Sequence, residues 1–247
     1  MKYQFLFVAL LLLPGSPALA NDGSGSFPSA EEIVDRMAAH DLQRQGSTQG
    51  YTGMRRYTLD NQHFHKRAEM LVQVQGDQDG TKHFEVVSEE GWKSANTYVL
   101  RRMLESESES SRPELRATSK INPQNYDFAF VGSERMADRT SYVLEVSPKR
   151  KDKYLFRGRI WVDAEDYALV RVEGNPAKNP SFWTKSTHFV HIYQKSGALW
   201  FPCSTQSVTD ARIFGTTGVN IEYFDYAPKT SHLPANSVMS AKEMPKP

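Results

Sequence analysis

The sequence is poor in cysteine and has no excess of charge of either sign. Cys203 is the only cysteine among 247 residues, so no disulfide can form within the chain and stability has to come from a packed core. There are 30 Lys and Arg residues against 29 Asp and Glu residues. This balance counts against nucleic acid as a partner, because phosphate binding needs a basic surface.

Long apolar runs are also missing, except at the N-terminus. Lys2 is followed by an unbroken apolar run over residues 5–13, and the stretch ends in Ala18-Leu19-Ala20. A basic start, a short apolar core and a small-x-small end are typical of a secretory signal peptide. The run is too short to span a bilayer, which takes about 20 apolar residues. We therefore expect residues 1–20 to be a signal peptide cleaved after Ala20, with export to the periplasm. Since no cysteine follows directly, we expect no N-terminal lipid.

The remainder is predicted to be one domain between two short extensions. Residues 21–28 form a flexible lead-in rich in glycine and serine, residues 29–228 form the domain, and residues 229–247 form a C-terminal tail. A series of strand patterns continues through most of this length, which favours one domain over two.

Two amphipathic helices are predicted. Ser29 and Glu32 have the spacing of a capping box at the start of the first helix, and Ser94 is positioned to cap the second. Apolar residues at helical spacing follow each cap. They are Ile33, Val34, Met37 and Ala38 in the first helix, and Val99, Leu100, Met103 and Leu104 in the second.

Elsewhere the apolar pattern has a period of two, which is typical of half-buried antiparallel strands. About ten strands follow at short spacing, the pattern of a single large antiparallel sheet or barrel. The predicted strands cover residues 51–59, 63–75, 82–88, 126–131, 141–147, 154–163, 167–173, 184–194, 199–210 and 219–226.

Signatures of catalysis are missing from the sequence. It has no Gly-x-Ser-x-Gly elbow, no phosphate-binding loop and no Gly-x-Gly-x-x-Gly fingerprint. Cys203 follows Trp200-Phe201-Pro202 in an apolar strand pattern, which favours a buried small hydrophobe over a reactive thiol. We therefore expect no enzymatic activity and no cofactor.

The histidines give a weak metal signal. His63 and His65 lie on one face of a predicted strand, but that face carries charged residues and is predicted to meet solvent. His188 and His191 are three residues apart on a strand and therefore point to opposite faces. A catalytic zinc also needs a third ligand and an open position, and neither is identifiable, so we expect no metal site.

Two charged segments are predicted to be exposed. Residues 149–153 lie between two strands and are either a charged hairpin turn or a landing patch for anionic lipid. The Glu-Ser segment over residues 105–111 is predicted to be a solvated helix end or loop.

The strands carry more apolar and aromatic side chains than two short helices can cover. Either the sheet closes and these residues form an ordinary core, or it curls into a trough with an apolar cavity, the usual form of a small-molecule or lipid site. Periodicity does not choose between the two. The candidate cavity residues are Phe64, Met70, Val72, Val74, Phe84, Val86, Phe128, Phe130, Ile160, Val162, Val170, Val172, Phe189 and Tyr193.

The order of these elements, together with three segments, resembles a known superfamily. Residues 159–163 (RIWVD), 166–174 (DYALVRVEG) and 185–189 (KSTHF) are similar to those of bacterial outer-membrane lipoprotein-sorting proteins. These belong to the LolA/LolB-type lipoprotein-carrier superfamily. The resemblance covers about residues 30–226 and is carried by structural rather than catalytic motifs.

The resemblance implies an α+β, mainly antiparallel β fold. This is an open, strongly curved half-barrel of about ten to eleven strands with helices as a lid over the concave face. The implied lid residues are Ile33, Met37, Val99, Leu100, Met103 and Leu104. In the carriers an arginine on a strand holds the lid closed. No stretch here matches the motif around that arginine, which leaves Arg55, Arg56 and Arg67 as candidates.

The function that the resemblance implies is a periplasmic, non-enzymatic carrier, which binds the acyl chains of a lipid or lipoprotein and transfers them towards the outer membrane. The alternative is an envelope sensor that uses the same cavity to grip a partner protein or lipid. We expect a monomer that binds no nucleic acid, and an inner- or outer-membrane protein that loads it or receives its cargo.

Overall fold

The computed structural model describes most of the chain. The described residues are 27–46, 49–136, 138–179, 182–197 and 199–229. The predicted signal peptide, most of the lead-in and the tail beyond Lys229 lie outside them, and the predicted domain boundaries stay a prediction. Among the described helices, none combines the length and apolar character that a membrane span requires.

The described elements are ten strands and a small set of helices. The helices are α1 (Ala30–Gly46), α2 (Lys93–Ala95), a π-helical turn (Asn96–Leu100), α3 (Arg101–Ser111) and α4 (Pro113–Ser119). The strands are β1 (Gly50–Asn61), β2 (Lys66–Asp77), β3 (Lys82–Gly91), β4 (Tyr126–Met136), β5 (Arg139–Pro148), β6 (Phe156–Asp163), β7 (Leu169–Pro176), β8 (Thr184–Ser196), β9 (Leu199–Ala211) and β10 (Gly215–Pro228). We call α2, the π-helical turn and α3 together the central helix, because they follow one another without a break.

The ten predicted strands are all present, but three of them begin later than predicted: β2 at Lys66 rather than residue 63, β6 at Phe156 rather than residue 154, and β7 at Leu169 rather than residue 167. Residues 62–65 form the turn between β1 and β2, so the prediction that a strand begins at His63 is wrong. His65 adopts a positive φ of 50° there, which a regular strand does not allow.

The two helix starts differ in their agreement with the sequence. The Ser29 hydroxyl accepts the Glu32 backbone N–H at 3.1 Å, as the capping box predicts. The central helix begins one residue before Ser94, at Lys93, so Ser94 is not its cap. The N-cap is Trp92, which makes no side-chain cap hydrogen bond among the described residues.

All ten strands belong to one antiparallel sheet, in the order β3-β2-β1-β10-β9-β8-β7-β6-β5-β4. Within the described residues β3 and β4 are its two edges, so the sheet is open. The predicted α+β half-barrel is confirmed, and of the two arrangements that the periodicity allowed, the open sheet is the one observed.

The connection between the two edges determines where the helices lie. The chain leaves the sheet at β3 and re-enters at β4, on the opposite edge. The central helix and α4 therefore cross one face of the sheet, which we call the inner face. From β4 each strand pairs with the next until β10 pairs with β1.

The core consists of two clusters on this inner face, one under each helical cover. The first joins α1 to strands β4–β7 and includes Ile33, Val34, Met37, Leu144, Val146, Ile160 and Val162. The second joins the central helix to β1, β2 and β10 and includes Ala95, Leu100, Leu104, Tyr57, Met70, Val72 and Ile221. Most of β8 and β9 lies between the two covers, and this leaves room above the middle of the sheet.

The last residue of β6, Asp163, carries a carboxylate that is fully buried. Asp163 accepts hydrogen bonds from Arg139 Nε at 2.6 Å and Nη2 at 2.7 Å. It also accepts the backbone N–H groups of Glu165 and Asp166. Burial raises the pKa of Asp163, but these donors lower it more, so its pKa lies below the ordinary value. Asp163 therefore fixes the β6–β7 turn as an ion.

We predict that Asp163→Asn lowers the free energy of unfolding by about 3 kcal/mol or more, because it leaves Arg139 without its buried counter-ion. Urea denaturation at neutral pH measures the change. Glu165→Gln is the matched control. Glu165 lies in the same turn and contacts Arg139 Nη2 at 3.1 Å, but its side chain is 77% exposed, so we expect a loss under about 0.5 kcal/mol. Similar losses in both variants would contradict the argument.

Candidate functional site

A cavity of about 1510 Å³ lies between the central helix and the inner face of β1, β8, β9 and β10. This volume exceeds the range of roughly 300–1,000 Å³ that is usual for small-molecule pockets. The cavity occupies the part of the sheet that neither core cluster covers. Its position follows from the edge-to-edge crossing of the chain.

One part of the lining is apolar. Leu59 on β1 is paired with Val219 on β10, and Ile221 follows on the same face of β10. Val99 and Met103 of the central helix also line this space. These side chains form an apolar surface that can contact a hydrocarbon chain.

A second part of the lining is polar, which the sequence analysis did not predict. Thr187 and Thr209 are paired across β8 and β9, and their hydroxyl oxygens lie 3.1 Å apart. Asn61 Nδ2 donates to the Thr217 hydroxyl at 2.7 Å. Together the four residues form a row across the floor of the cavity. The cavity is therefore amphipathic rather than purely apolar.

A chain of three polar groups lies deeper on the same floor. The Thr205 hydroxyl is 2.7 Å from His191 Nδ1 and 2.8 Å from the Tyr223 hydroxyl. Burial lowers the pKa of His191 to about 4, so the imidazole is neutral at neutral pH. It can bond an uncharged polar group without adding charge to the cavity.

Arg55 connects the sheet to the central helix. Its side chain is only 1% exposed, and Nη1 donates to Glu107 Oε2 at 2.8 Å. Nε donates to the Tyr226 hydroxyl at 2.9 Å. Lys82 at the start of β3 donates to the other carboxylate oxygen of Glu107, also at 2.8 Å. One carboxylate on the helix therefore bridges two cations on the sheet. We call Arg55, Lys82 and Glu107 the ionic cluster.

The pKa values in this cluster keep all three groups charged. Burial alone would raise the pKa of Glu107, but the two cations Lys82 and Arg55 outweigh this effect and lower the pKa to about 2. Burial lowers the pKa values of Arg55 and Lys82, but Glu107 raises both above their ordinary values. Two cations face one anion, so the cluster adds a net positive charge to the wall of the cavity.

Of the three arginines that the sequence offered as a lid contact, Arg55 is the one that reaches the helix. Arg56 instead pairs with Glu69 and Glu222, and Arg67 pairs with Glu69. Arg55 and Arg56 are adjacent on β1, so their side chains lie on opposite faces of the sheet.

The Glu-Ser segment over residues 105–111, which was predicted to be a solvated helix end or loop, is not fully solvated. It belongs to α3, and one face of it contacts the sheet. The Ser108 hydroxyl donates to the Lys82 carbonyl at 2.9 Å, and the Ser111 hydroxyl accepts the Lys82 N–H at 2.9 Å. Leu104, Glu107, Ser108 and Ser111 follow helical spacing, so the polar residues continue the apolar stripe. That continuation is the signal by which the sequence could have identified them.

Only some of the predicted cavity and lid residues line the large cavity. Phe189 and Tyr193 do so among the cavity residues, and Val99 and Met103 among the lid residues. The others occupy the two core clusters or their margins on the inner face, or the β1–β2 turn. Met70, Val72, Phe84, Val86, Leu100 and Leu104 pack in the central-helix cluster. Ile33, Met37, Phe128, Phe130, Ile160, Val162 and Val172 pack in the α1 cluster. Val74 is buried on β2, Val170 is half-buried on β7, and Phe64 in the turn is 40% exposed. Contact of these residues with a ligand stays a prediction.

His188 and Cys203 were also candidates for chemistry. His188 contacts Glu173 at 3.2 Å, on the face opposite His191. No group of three His, Cys, Asp or Glu residues in the described part of the chain is placed to hold a metal ion. Cys203 is half-buried, and burial raises the pKa of its thiol.

The basic segment over residues 149–153 is largely turned towards its own chain. Lys149 Nζ donates to the Pro123 carbonyl at 2.6 Å, and Arg150 Nη1 donates to Asn125 Oδ1 at 2.7 Å. These contacts fit the charged turn better than the lipid landing patch.

Comparisons with known proteins give a family model and several solved structures that are similar to this chain. The family model of the MucB/RseB N-terminal domain matches residues 92–179, and a search of curated proteins gives no match. Matching structures include a LolA superfamily protein from Nitrosomonas europaea, with 10% identity over 83% of this chain and 95% of that one and a TM-score of 0.44. A putative outer membrane lipoprotein-sorting protein domain from Vibrio parahaemolyticus matches with 13% identity over 82% and 93% and a TM-score of 0.42.

A chain of the Pseudomonas aeruginosa MucA/MucB complex also matches, with 10% identity over 82% of this chain and 99% of that one and a TM-score of 0.28. These matches include proteins named for the superfamily that the sequence resembles. No residue role and no ligand is taken from them.

We predict that Glu107→Gln loosens the central helix from the sheet, because Arg55 and Lys82 then lack their shared counter-ion. Amide hydrogen exchange in α3 should become at least about tenfold faster. Glu105→Gln is the matched control, since Glu105 lies two residues earlier in the same helix and, within the described part of the chain, forms its ion pair with exposed Arg102. Equal exchange rates in the two variants would contradict the role of the cluster.

The same contact predicts a pH dependence. The pKa of the Glu107 carboxyl is about 2 in the folded protein, below its ordinary value of 4.5. The ionised carboxylate therefore contributes its full stabilisation at pH values above the pKa of the unfolded state. This stabilisation is lost as the pH falls through the folded pKa. The difference in unfolding free energy between the wild type and Glu107→Gln should therefore shrink between pH 4.5 and pH 2. A difference that stays constant over this range would contradict the assignment.

Proposed function

We propose that the protein is a non-enzymatic binding protein of the bacterial periplasm. It holds the acyl chains of a lipid or lipoprotein in the cavity under the central helix and transfers them towards the outer membrane. The observation that carries the proposal is the cavity of about 1510 Å³, which has an apolar wall around Leu59, Val219 and Met103 and a polar floor. An amphiphile has the matching combination of groups.

The energies suit a carrier. Burying about ten methylenes contributes roughly 8 kcal/mol before opposing terms are counted. This corresponds to a dissociation constant of about a micromolar if nothing opposed it. Such binding is strong enough to hold a lipid and weak enough to release it to a membrane or to another protein.

The central helix is the proposed lid. The ionic cluster holds its C-terminal half on the sheet. Its N-terminal half contains the π-helical turn, an irregularity that often marks functional positions in helices. Within that turn Asn96 Nδ2 donates to the Glu90 carbonyl at 2.9 Å, while its buried Oδ1 has no partner among the described residues. The proposed motion opens at the ionic cluster and bends near Asn96.

A second candidate function is the gripping of a partner protein by the same cavity. It is favoured by the match of the MucB/RseB N-terminal domain to residues 92–179 and by the MucA/MucB complex among the matching structures. In this case the central helix would move when a protein segment, rather than a lipid, enters the cavity. The two candidates share the cavity and differ in its occupant.

We predict that Thr209→Trp weakens the uptake of a fluorescent fatty acid by at least about tenfold, because the indole fills the floor of the cavity. Fluorescence titration of the purified protein measures it. Val208→Trp is the matched control, since Val208 is the preceding residue on β9, points to the outer face and is 52% exposed. Absence of probe binding to the wild type, or equal loss in both variants, would overturn the acyl-binding proposal.

The occupant itself can be identified directly. We expect mass spectrometry of the protein purified from its native envelope to find a lipid or an acylated protein at near-stoichiometric amounts. The second candidate instead requires a non-acylated protein partner, and its capture together with an absence of bound lipid would replace the first.

A further inference from the structure

Three neighbouring turns at one end of the sheet carry exposed aromatic and aliphatic side chains. Phe64 lies in the β1–β2 turn, Ile213 and Phe214 in the β9–β10 turn, and Phe182 and Trp183 in the segment that leads into β8. Their exposed fractions run from 40% for Phe64 to 76% for Phe182. We call these five residues the aromatic rim.

The rim is one continuous surface. The rings of Phe64 and Phe214 lie 6.2 Å apart. The Arg212 backbone N–H donates to the Trp183 carbonyl at 2.9 Å, which joins the β9–β10 turn to the segment before β8. Single exposed hydrophobic residues are ordinary on a protein surface, but a contiguous set of this kind marks an interaction site.

Basic side chains accompany the rim. The Arg212 guanidinium lies 5.0 Å from the centre of the Phe182 ring, and the Lys66 ammonium lies 5.5 Å from that of Trp92. Neither contacts a carboxylate of the described residues within ion-pair distance. Lys185 nearby contacts Asp210 at 3.5 Å. The rim therefore combines aromatic rings with cations that are available to a partner.

This combination matches the chemistry of an anionic membrane surface. Aromatic rings are favoured at the level of the lipid headgroups, and each Lys or Arg near an anionic leaflet adds attraction. The five side chains project from separate turns at the end of the sheet, and Phe214 also lines the cavity. Such projections can enter a fluid bilayer surface, whereas a folded protein partner would need a matching set of pockets.

The rim also lies at one end of the cavity. Phe214 and Trp92 line the cavity as well as contacting Phe64. A molecule that leaves a membrane contacted by the rim would therefore meet the cavity without crossing bulk water.

We propose that the aromatic rim docks the protein on the surface of a phospholipid bilayer with anionic headgroups, with one end of the cavity facing the lipids. The docking does not depend on which ligand the cavity holds.

The test is flotation of the full mature protein with vesicles of phosphatidylcholine, with and without phosphatidylglycerol. We expect the wild type to float with the anionic vesicles, less so as salt is raised. The double variant Phe182→Ser/Trp183→Ser should reduce the bound fraction on the order of tenfold or more. Neither residue lines the cavity, so uptake of the soluble fatty-acid probe should be unchanged.

Two further variants separate the contributions. Val87→Ser/Val131→Ser is the matched control, because both valines are about half exposed but lie away from the rim, and it should float like the wild type. Arg212→Gln should weaken binding to anionic vesicles and leave binding to pure phosphatidylcholine unchanged. The proposal is overturned if the wild type does not float, or if the rim variant and the valine control float equally. Vesicle binding without probe uptake would support the docking while contradicting the acyl-binding function.

Discussion

The buried guanidinium of Arg55 is the constraint on which the arrangement of sheet and helix depends. A charge that is 1% exposed must be paired, and the carboxylate that pairs with it is on the central helix, 52 residues further along the chain. Lys82 uses the other oxygen of the same carboxylate. The contacts of Glu107 with Arg55 and Lys82 thus fix the position of the helix more closely than apolar packing alone would. Because removing Glu107 leaves both cations without their counter-ion, the closed position of the central helix depends on this one carboxylate.

The topology explains why there is a cavity to cover. Strands β1–β3 come first in the chain, and the next strand, β4, lies at the opposite edge of the sheet. The connecting helices therefore have to cross the inner face. α1 covers one end of that face and the central helix covers the other. The middle of the sheet, mainly β8 and β9, carries threonines and His191 beside the aromatic side chains of Phe189 and Tyr193. These residues do not fill the space above them, and the cavity is the result.

Much of the fold could be predicted from the sequence, because alternation identifies strands and their inner faces regardless of what covers them. The residues predicted on β2, Met70 and Val72, do lie on the inner face. They lie in the core rather than in the cavity because the central helix covers their strand. Which strands the helices cover depends on the order of the strands in the sheet. The ionic cluster was harder to predict, since Arg55, Lys82 and Glu107 are far apart in the sequence. The resemblance offered Arg55 as one of three candidate lid arginines, and the helical spacing from Leu104 to Ser111 pointed to Glu107.

An amphipathic cavity whose ionic cluster carries one net positive charge has consequences for release. Hydrocarbon burial holds a ligand without regard to its exact position, whereas the threonine row and the ionic cluster bind polar groups at fixed places. A ligand whose polar group competes with Glu107 for Lys82 would weaken the contact that keeps the central helix closed. Binding and opening would then be coupled through a single carboxylate. In that case loading by a charged amphiphile would favour the open state more than loading by a plain hydrocarbon of equal length.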